Sequence, residues 1–225
     1  MSSARDARQM LRAHRYGALS TLSLKFGGHP FGSITPYLVG HDGSLLILIS
    51  GLAEHTKNIR HDPRVSLITH NQDDPQIQAQ GRVTLVGEAH LVAGREQAGK
   101  RYLRYFPEAQ TYLEMHDFSF YQIVPIAIRY IGGFGKIHWA NMAEYAPQEI
   151  DAYTQQEERL LATLNTQQQN TLRQLLQQRH GVNAPDVQAI GLDCDGLDVR
   201  SGEIMWRLDF AEALSDPAQA LSQIK

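Results

Sequence analysis

Residues 50–68 read SGLAEHTKNIRHDPRVSLI, and the way this stretch sits between its neighbours decides the fold. Just before it, Leu45–Ile49 is apolar with no polar alternation, the pattern of a strand buried on both faces. Within it, residues 52–61 form a short helix, with Leu52, His55 and Ile59 on one side. The helix cap falls on Ser50 or Thr56, and Asp62-Pro63 ends the helix. Arg64–Thr69 is again a strand. Thr56 and Lys57 stand near the helix start, followed by Arg60, His61 and Arg64. Hydroxyls, backbone amides at a helix start and a lysine are what a phosphate group needs at close range. The same residues also fit a solvated basic helix face, and spacing alone leaves both readings open.

Working outward, residues 3–15 have helical character and Gly17 stops them. Ala18–Leu24 and Pro30–Val39 read as strands around a Gly27-Gly28 turn, and Gly40 to Gly43 makes another turn. On the other side, Gln76–Val92 reads as a strand, with Gly81 or Gly87 marking a bulge. Residues 95–115 are helical, broken near Pro107. Phe118–Tyr130 is rich in aromatic and β-branched residues; Gly132-Gly133 interrupts it and Gly135–Trp139 finishes the sheet. Many strands with few helices over residues 1–140 predict an antiparallel, closed or partly open barrel, which removes most sheet edges.

Beyond Trp139 the composition changes. Residues 141–150, with Pro147, read as a linker, and 154–179 as a glutamine-rich helical region with a stripe of leucines from Leu160 to Leu176. Strands Val187–Leu192, Leu197–Arg200 and Ile204–Phe210 follow, and Ser215 or Asp216 with Pro217 starts a last helix. The chain is therefore expected to be α+β in two parts: a barrel over 1–140 and a small α+β domain over 151–225.

The formal net charge of -3 speaks against nucleic-acid binding through a general basic surface. Hydrophobic residues at 42% and charged residues at 20% are those of a globular protein. The single cysteine, Cys194, allows no intramolecular disulfide. The N-terminus carries charges of both signs and no apolar core of a signal, and no run approaches the length of a membrane span, so a cytoplasmic protein without membrane attachment is expected. The ten histidines form no HxxxH or HxH pair. The run Asp193-Cys-Asp-Gly-Leu-Asp198 breaks the EF-hand pattern, so no metal site is expected. His138, beside Trp139, reads either as an axial haem ligand or as a polar residue at a strand end.

An ordered set of short segments carries a family resemblance: GALST at 17–21, GHPFGS at 28–33, LILIS at 46–50, HTKN at 55–58, DPRVSL at 62–67, GRVTLVGEA at 81–89 and GGFGKI at 132–137. Together they resemble the flavin-binding split barrels related to pyridoxamine 5′-phosphate oxidase, in particular the branch of HugZ-type haem-utilisation proteins. The resemblance implies a homodimer with two FMN sites at the subunit interface. It places the FMN phosphate near Thr56 and Lys57 with Ser50 close by, and Ser33, Ile34 and Thr35 along the ring system. Residues 190–199 and 207–210 resemble the small C-terminal domain that accompanies this branch. That domain usually carries His-Met-Asn-x-Asp-His, where this chain has Thr163-Leu-Asn-Thr-Gln-Gln168, so no role of the histidine pair is carried over. What the resemblance implies is an FMN-binding, oxidoreductase-like protein acting on a small molecule, with no catalytic residue named. Haem binding or degradation on the same fold is the alternative, and a non-catalytic adaptor using the C-terminal domain is a third reading.

Overall fold

The computed structural model of the chain describes residues 3–71, 76, 79–133, 136–147 and 149–223. Helix α1 (Ser3–Ala13) leads into strands β1 (Tyr16–Leu22), β2 (Pro30–Pro36), β3 (Leu38–Val39) and β4 (Leu45–Ser50). Helix α2 (Glu54–His61) is followed by β5 (Arg64–His70) and β6 (Gly81–Leu91). Helix α3 (Arg95–Tyr105), a 3-10 turn at Pro107–Ala109 and α4 (Gln110–Leu113) precede the long β7 (Phe118–Gly132), its hairpin partner β8 (Ile137–Trp139) and α5 (Met142–Tyr145). The strands form one antiparallel sheet in the order β2-β1-β5-β6-β7-β4-β3, with β8 on β7.

This order forces the sheet to curl. β2 and β3 stand at opposite ends of it, yet only Tyr37 separates them in the chain. Six steps between strands would hold the ends of a flat sheet about 29 Å apart, and one residue spans about 3.5 Å. The sheet therefore wraps until its ends meet, and β2 comes against β4 without a ladder between them. The strand expected over Pro30–Val39 is in fact two strands on opposite edges, because the chain passes at Tyr37 from one edge to the other. Tyr37 is fully buried; its hydroxyl donates to the Leu11 carbonyl (2.8 Å) and its amide to the Arg15 carbonyl (2.9 Å). Burial pushes its phenol pKa up, so it stays neutral.

The inner face of the curl holds one apolar cluster that includes Leu19, Leu45, Ile47, Leu67, Leu85 and Ile123. Helix α1 buries Ala4, Ala7 and Leu11 in the same cluster. Two alanines there let the helix backbone approach β6 and β7 closely. The segment read as a linker does not begin at residue 141. Helix α5 packs into this cluster with Tyr145 fully buried, its hydroxyl donating to the Gly43 carbonyl at 2.7 Å. The Arg8 guanidinium donates to the Glu144 and Tyr145 carbonyls at 2.8 and 2.9 Å, satisfying the open end of that short helix. The bulge expected at Gly81 or Gly87 falls beside Gly87, with the extra residue on the other strand. Val86 pairs with Ala127 and Gly87 with Pro125, leaving Ile126 unpaired. Pro125 has no amide to give, and a bulge is where a strand tolerates that. At Gly87 a Cβ would clash with the Val124 carbonyl oxygen, so only glycine fits. The expected start of this strand at Gln76 is corrected too: Gln76 accepts the amides of Ala79 and Gln80 in a turn, and residues 77 and 78 lie outside the described set.

The described residues divide into two compact units, Met1–Ala146 and Pro147–Lys225. In the second, α6 (Ile150–Gln167) and α7 (Gln169–His180) accompany the meander β9 (Gln188–Asp193), β10 (Gly196–Ser201) and β11 (Ile204–Asp209). The helical region expected over 154–179 is two helices, parted at Gln168. The leucine phase of Leu160, Leu161 and Leu164 would next bury position 168, where a glutamine stands, and the chain folds back instead. The sheet edges are covered by side chains. On β9, Asn165 both donates to and accepts from the Ala189 backbone (3.0 and 2.7 Å), and Glu157 accepts the Leu192 amide (3.0 Å). On β11, Arg179 donates to the Asp209 carbonyl at 2.7 Å and a ring nitrogen of His180 lies 3.3 Å from the Arg207 carbonyl. Asn165, the one residue kept from the histidine motif, thus has a structural use. At the sheet's end the Arg207 guanidinium grips the buried Asp193 carboxylate at two points (2.7 Å each) and also reaches Asp198 (3.2 Å) and Asp209 (3.1 Å).

Two substitutions test this description. Arg207→Leu leaves the Asp193 and Asp198 carboxylates buried without their cation, and should cost about 3–5 kcal/mol. Urea unfolding of the second unit followed by Trp206 fluorescence reads it, and an unmoved midpoint would show that the acids find enough support elsewhere. Gly87→Ala should lower stability by about 1–3 kcal/mol through the forced approach to Val124, measurable by thermal denaturation of the intact chain.

Candidate functional site

The seam where β2 meets β4 opens into a cavity of about 360 Å³. β2 contributes Ile34 and Thr35, and the end of β4 contributes Leu48, Ile49 and Ser50. The far wall is aromatic. Tyr102 of α3 packs against Phe106 (ring centroids 4.6 Å apart) and edge-on against Phe120 (5.2 Å), while Tyr112 stacks on Phe118 (4.9 Å, 13° between planes). Burial is the main cause of a raised Tyr102 phenol pKa, so this phenol stays uncharged, while Glu108 brings a carboxyl group to the same lining. An aromatic wall facing aliphatic side chains favours a flat, largely apolar ligand.

The floor is set by the turn after β4. Neither Ser50 nor Thr56 caps α2: the cap position is Ala53, with no side-chain bond. The Ser50 carbonyl accepts the Ala53 amide (3.2 Å) and the Thr56 hydroxyl (2.6 Å). The Ser50 hydroxyl donates to the Asp117 carboxylate and accepts the Leu52 amide (3.1 Å), while the Gly51 amide donates to the Asp117 carbonyl (2.6 Å). Helix α2 is fastened to β1 by Asn58, which is fully buried. It accepts the Leu24 amide at 3.0 Å and donates to the Thr21 hydroxyl at 2.9 Å. His55, in the first turn of α2, borders the cavity. Its Nδ1 lies 3.1 Å from the Ser33 hydroxyl oxygen, and its Nε2 is buried with no hydrogen-bond partner. Burial lowers the pKa of this imidazole below its ordinary value, which favours the neutral ring.

Of the residues expected at the site, Ile34, Thr35 and Ser50 line the cavity. Ser33 reaches it through His55. Thr56 lies beneath, fully buried with its hydroxyl on the Ser50 carbonyl. Lys57 is not on the lining; its half-exposed ammonium pairs with Glu54 at 3.8 Å. His138 is exposed on β8, and Cys194 is buried in the second unit. Sequence reasoning missed Asp117 and the aromatic wall. Asp117 is 67 positions from the serine it holds, and nothing local announces such a pairing. The periodic aromatics of 102–120 read equally well as core.

Fold and seam together define a split-barrel α+β protein of the kind found in relatives of pyridoxamine 5′-phosphate oxidase. Residues 1–147 match the CREG β-barrel family, and the chain belongs to it. Non-canonical heme oxygenase HOZ, a chloroplastic protein of Arabidopsis thaliana, is 30% identical over 204 residues, covering 88% of this chain and 62% of that protein. The chain thus spans less than two thirds of the length of this relative. A solved protein of unknown function from Agrobacterium tumefaciens has a TM-score of 0.81 at 24% identity, over 99% of this chain and 93% of that one. A heme-binding protein from Mycobacterium smegmatis has a TM-score of 0.59 at 29% identity, over 100% and 95%. Among the described residues no helix is long and apolar enough to cross a membrane.

Asn58→Ala strands the Leu24 amide and the Thr21 hydroxyl beside a small void. It should cost about 1–3 kcal/mol, and amide hydrogen exchange should rise first in α2. Equal exchange throughout the first unit would show that Asn58 does not fasten this helix in particular.

Proposed function

We propose that this protein binds haem in the seam cavity and that its activity belongs to haem breakdown. The observation that carries the reading is an apolar cavity walled by stacked aromatics and bordered by a neutral imidazole with an unpartnered ring nitrogen. A planar macrocycle with a central metal needs a wide apolar slot and one donor, and these residues supply one apolar face of such a slot and the donor. Bound haem would supply the iron chemistry, while this chain supplies the slot, the donor and exclusion of water by the Tyr102–Phe106 wall. The names of two relatives, a heme oxygenase and a heme-binding protein, point the same way.

FMN is the second reading. It draws on the start of α2 beside Ser50, where the resemblance places a phosphate. Against it, Lys57 is held by Glu54 away from the lining and the Thr56 hydroxyl is already bonded. The working unit in either reading is a homodimer. On the outer face, Ile34 is exposed and in register with Ala18, which is in register with Ile68, and exposed Val86 and Ile126 lie further along the sheet. Such a row is costly to leave in water.

Titrating the purified chain with ferric haem and, separately, with FMN decides between the readings. A saturating Soret band at micromolar concentration or below, without flavin fluorescence quenching, is expected. Flavin quenching without a Soret complex would move the site to FMN. Light scattering should give twice the chain mass, and Ile34→Asp should shift it toward the monomer; a monomeric wild type would remove the dimer.

A further inference from the structure

Resting on the haem reading, we infer that Nε2 of His55 is the ligand this chain offers to the iron and that the Ser33 hydroxyl holds the ring for it. Among the described residues, His55 is the only histidine on the cavity lining, which includes no cysteine and no methionine. Of the tyrosines of the wall, Tyr102 is engaged with the Leu48 backbone.

The two ring nitrogens are not equivalent. With Nδ1–H donating to the Ser33 oxygen at 3.1 Å, the lone pair is left on Nε2. That nitrogen is buried with no hydrogen-bond partner. An unsatisfied buried acceptor costs free energy, and a fold keeps one when something outside the chain uses it. Metal-ligating histidines commonly donate their second ring N–H to a nearby oxygen, which fixes both tautomer and orientation. Ser33 is in that position, on β2, across the seam from α2. Ser33 thus acts on the iron ligand as a positioning residue, with no contact of its own to the macrocycle required.

The test uses the intact chain with ferric haem and with iron-free protoporphyrin IX. His55→Ala should weaken haem binding about 100-fold, since losing a ligand costs at least as much as losing its outer partner, and the Soret maximum should move to that of an unligated or water-ligated haem. Binding of the iron-free porphyrin should be unchanged. Imidazole added to His55→Ala should restore the wild-type spectrum, which no purely structural role predicts. Ser33→Ala should weaken haem binding about tenfold with the same Soret position, and His138→Ala should change neither. Circular dichroism checks folding, and His55→Gln replaces the alanine variant if that one does not fold. A wild-type chain that forms no haem complex overturns the haem reading itself. A wild-type haem complex whose affinity and Soret maximum survive in His55→Ala overturns only the ligand assignment.

Discussion

A single residue, Tyr37, joins the two ends of a seven-strand ladder, and that short connection governs the first unit. A flat or gently twisted sheet cannot satisfy it. Closure follows, and with it an interior large enough to hold a packed cluster and a helix, α1, at its end. The closure is incomplete: β2 and β4 touch without sharing backbone hydrogen bonds. An unzipped seam is a place where side chains from two strands and a following helix converge while main-chain groups remain available. The cavity lies there for that reason.

Much of the barrel was legible because its signals are local. The unbroken apolar run Leu45–Ile49, the Asp62-Pro63 stop and the Gly27-Gly28 turn each act within a few residues. The misplaced features are those settled by distant partners. Tyr37 looks like the middle of a strand until the opposite edge arrives to claim Leu38 and Val39. Residues 141–146 look like a linker because Pro147 and polar neighbours dominate the pattern, yet Arg8 and Gly43 secure α5 from far away in the chain. The extra residue of the bulge sits on β7, while the glycine that permits it sits on β6. At the site, the stretches around 33–35 and 50–57 were found by resemblance, but the bonds that define their roles run from Ser33 to His55 and from Ser50 to Asp117. No spacing rule reaches across 22 or 67 positions.

Polar groups in this protein are used mainly to fix main chain. Thr56, Asn58, Tyr145 and Asn165 all spend their hydrogen bonds on carbonyls, amides or one another's supports. Buried side-chain atoms without a partner occur elsewhere too, His70 Nδ1 among them, but the one on His55 belongs to a residue of the cavity lining. That position gives His55 its weight.

The two units solve the same hazard by different means. A β-sheet invites growth wherever its outer amides and carbonyls stand bare. The barrel shelters its borders by bringing them against each other, although no ladder joins β2 to β4. The small meander cannot curl so far, and instead Asn165 and Glu157 clothe one border while Arg179 and His180 clothe the other. A stray extended peptide meeting this meander finds key docking points already taken, so the second unit is built to resist templated strand addition in a crowded solution without any help from the barrel.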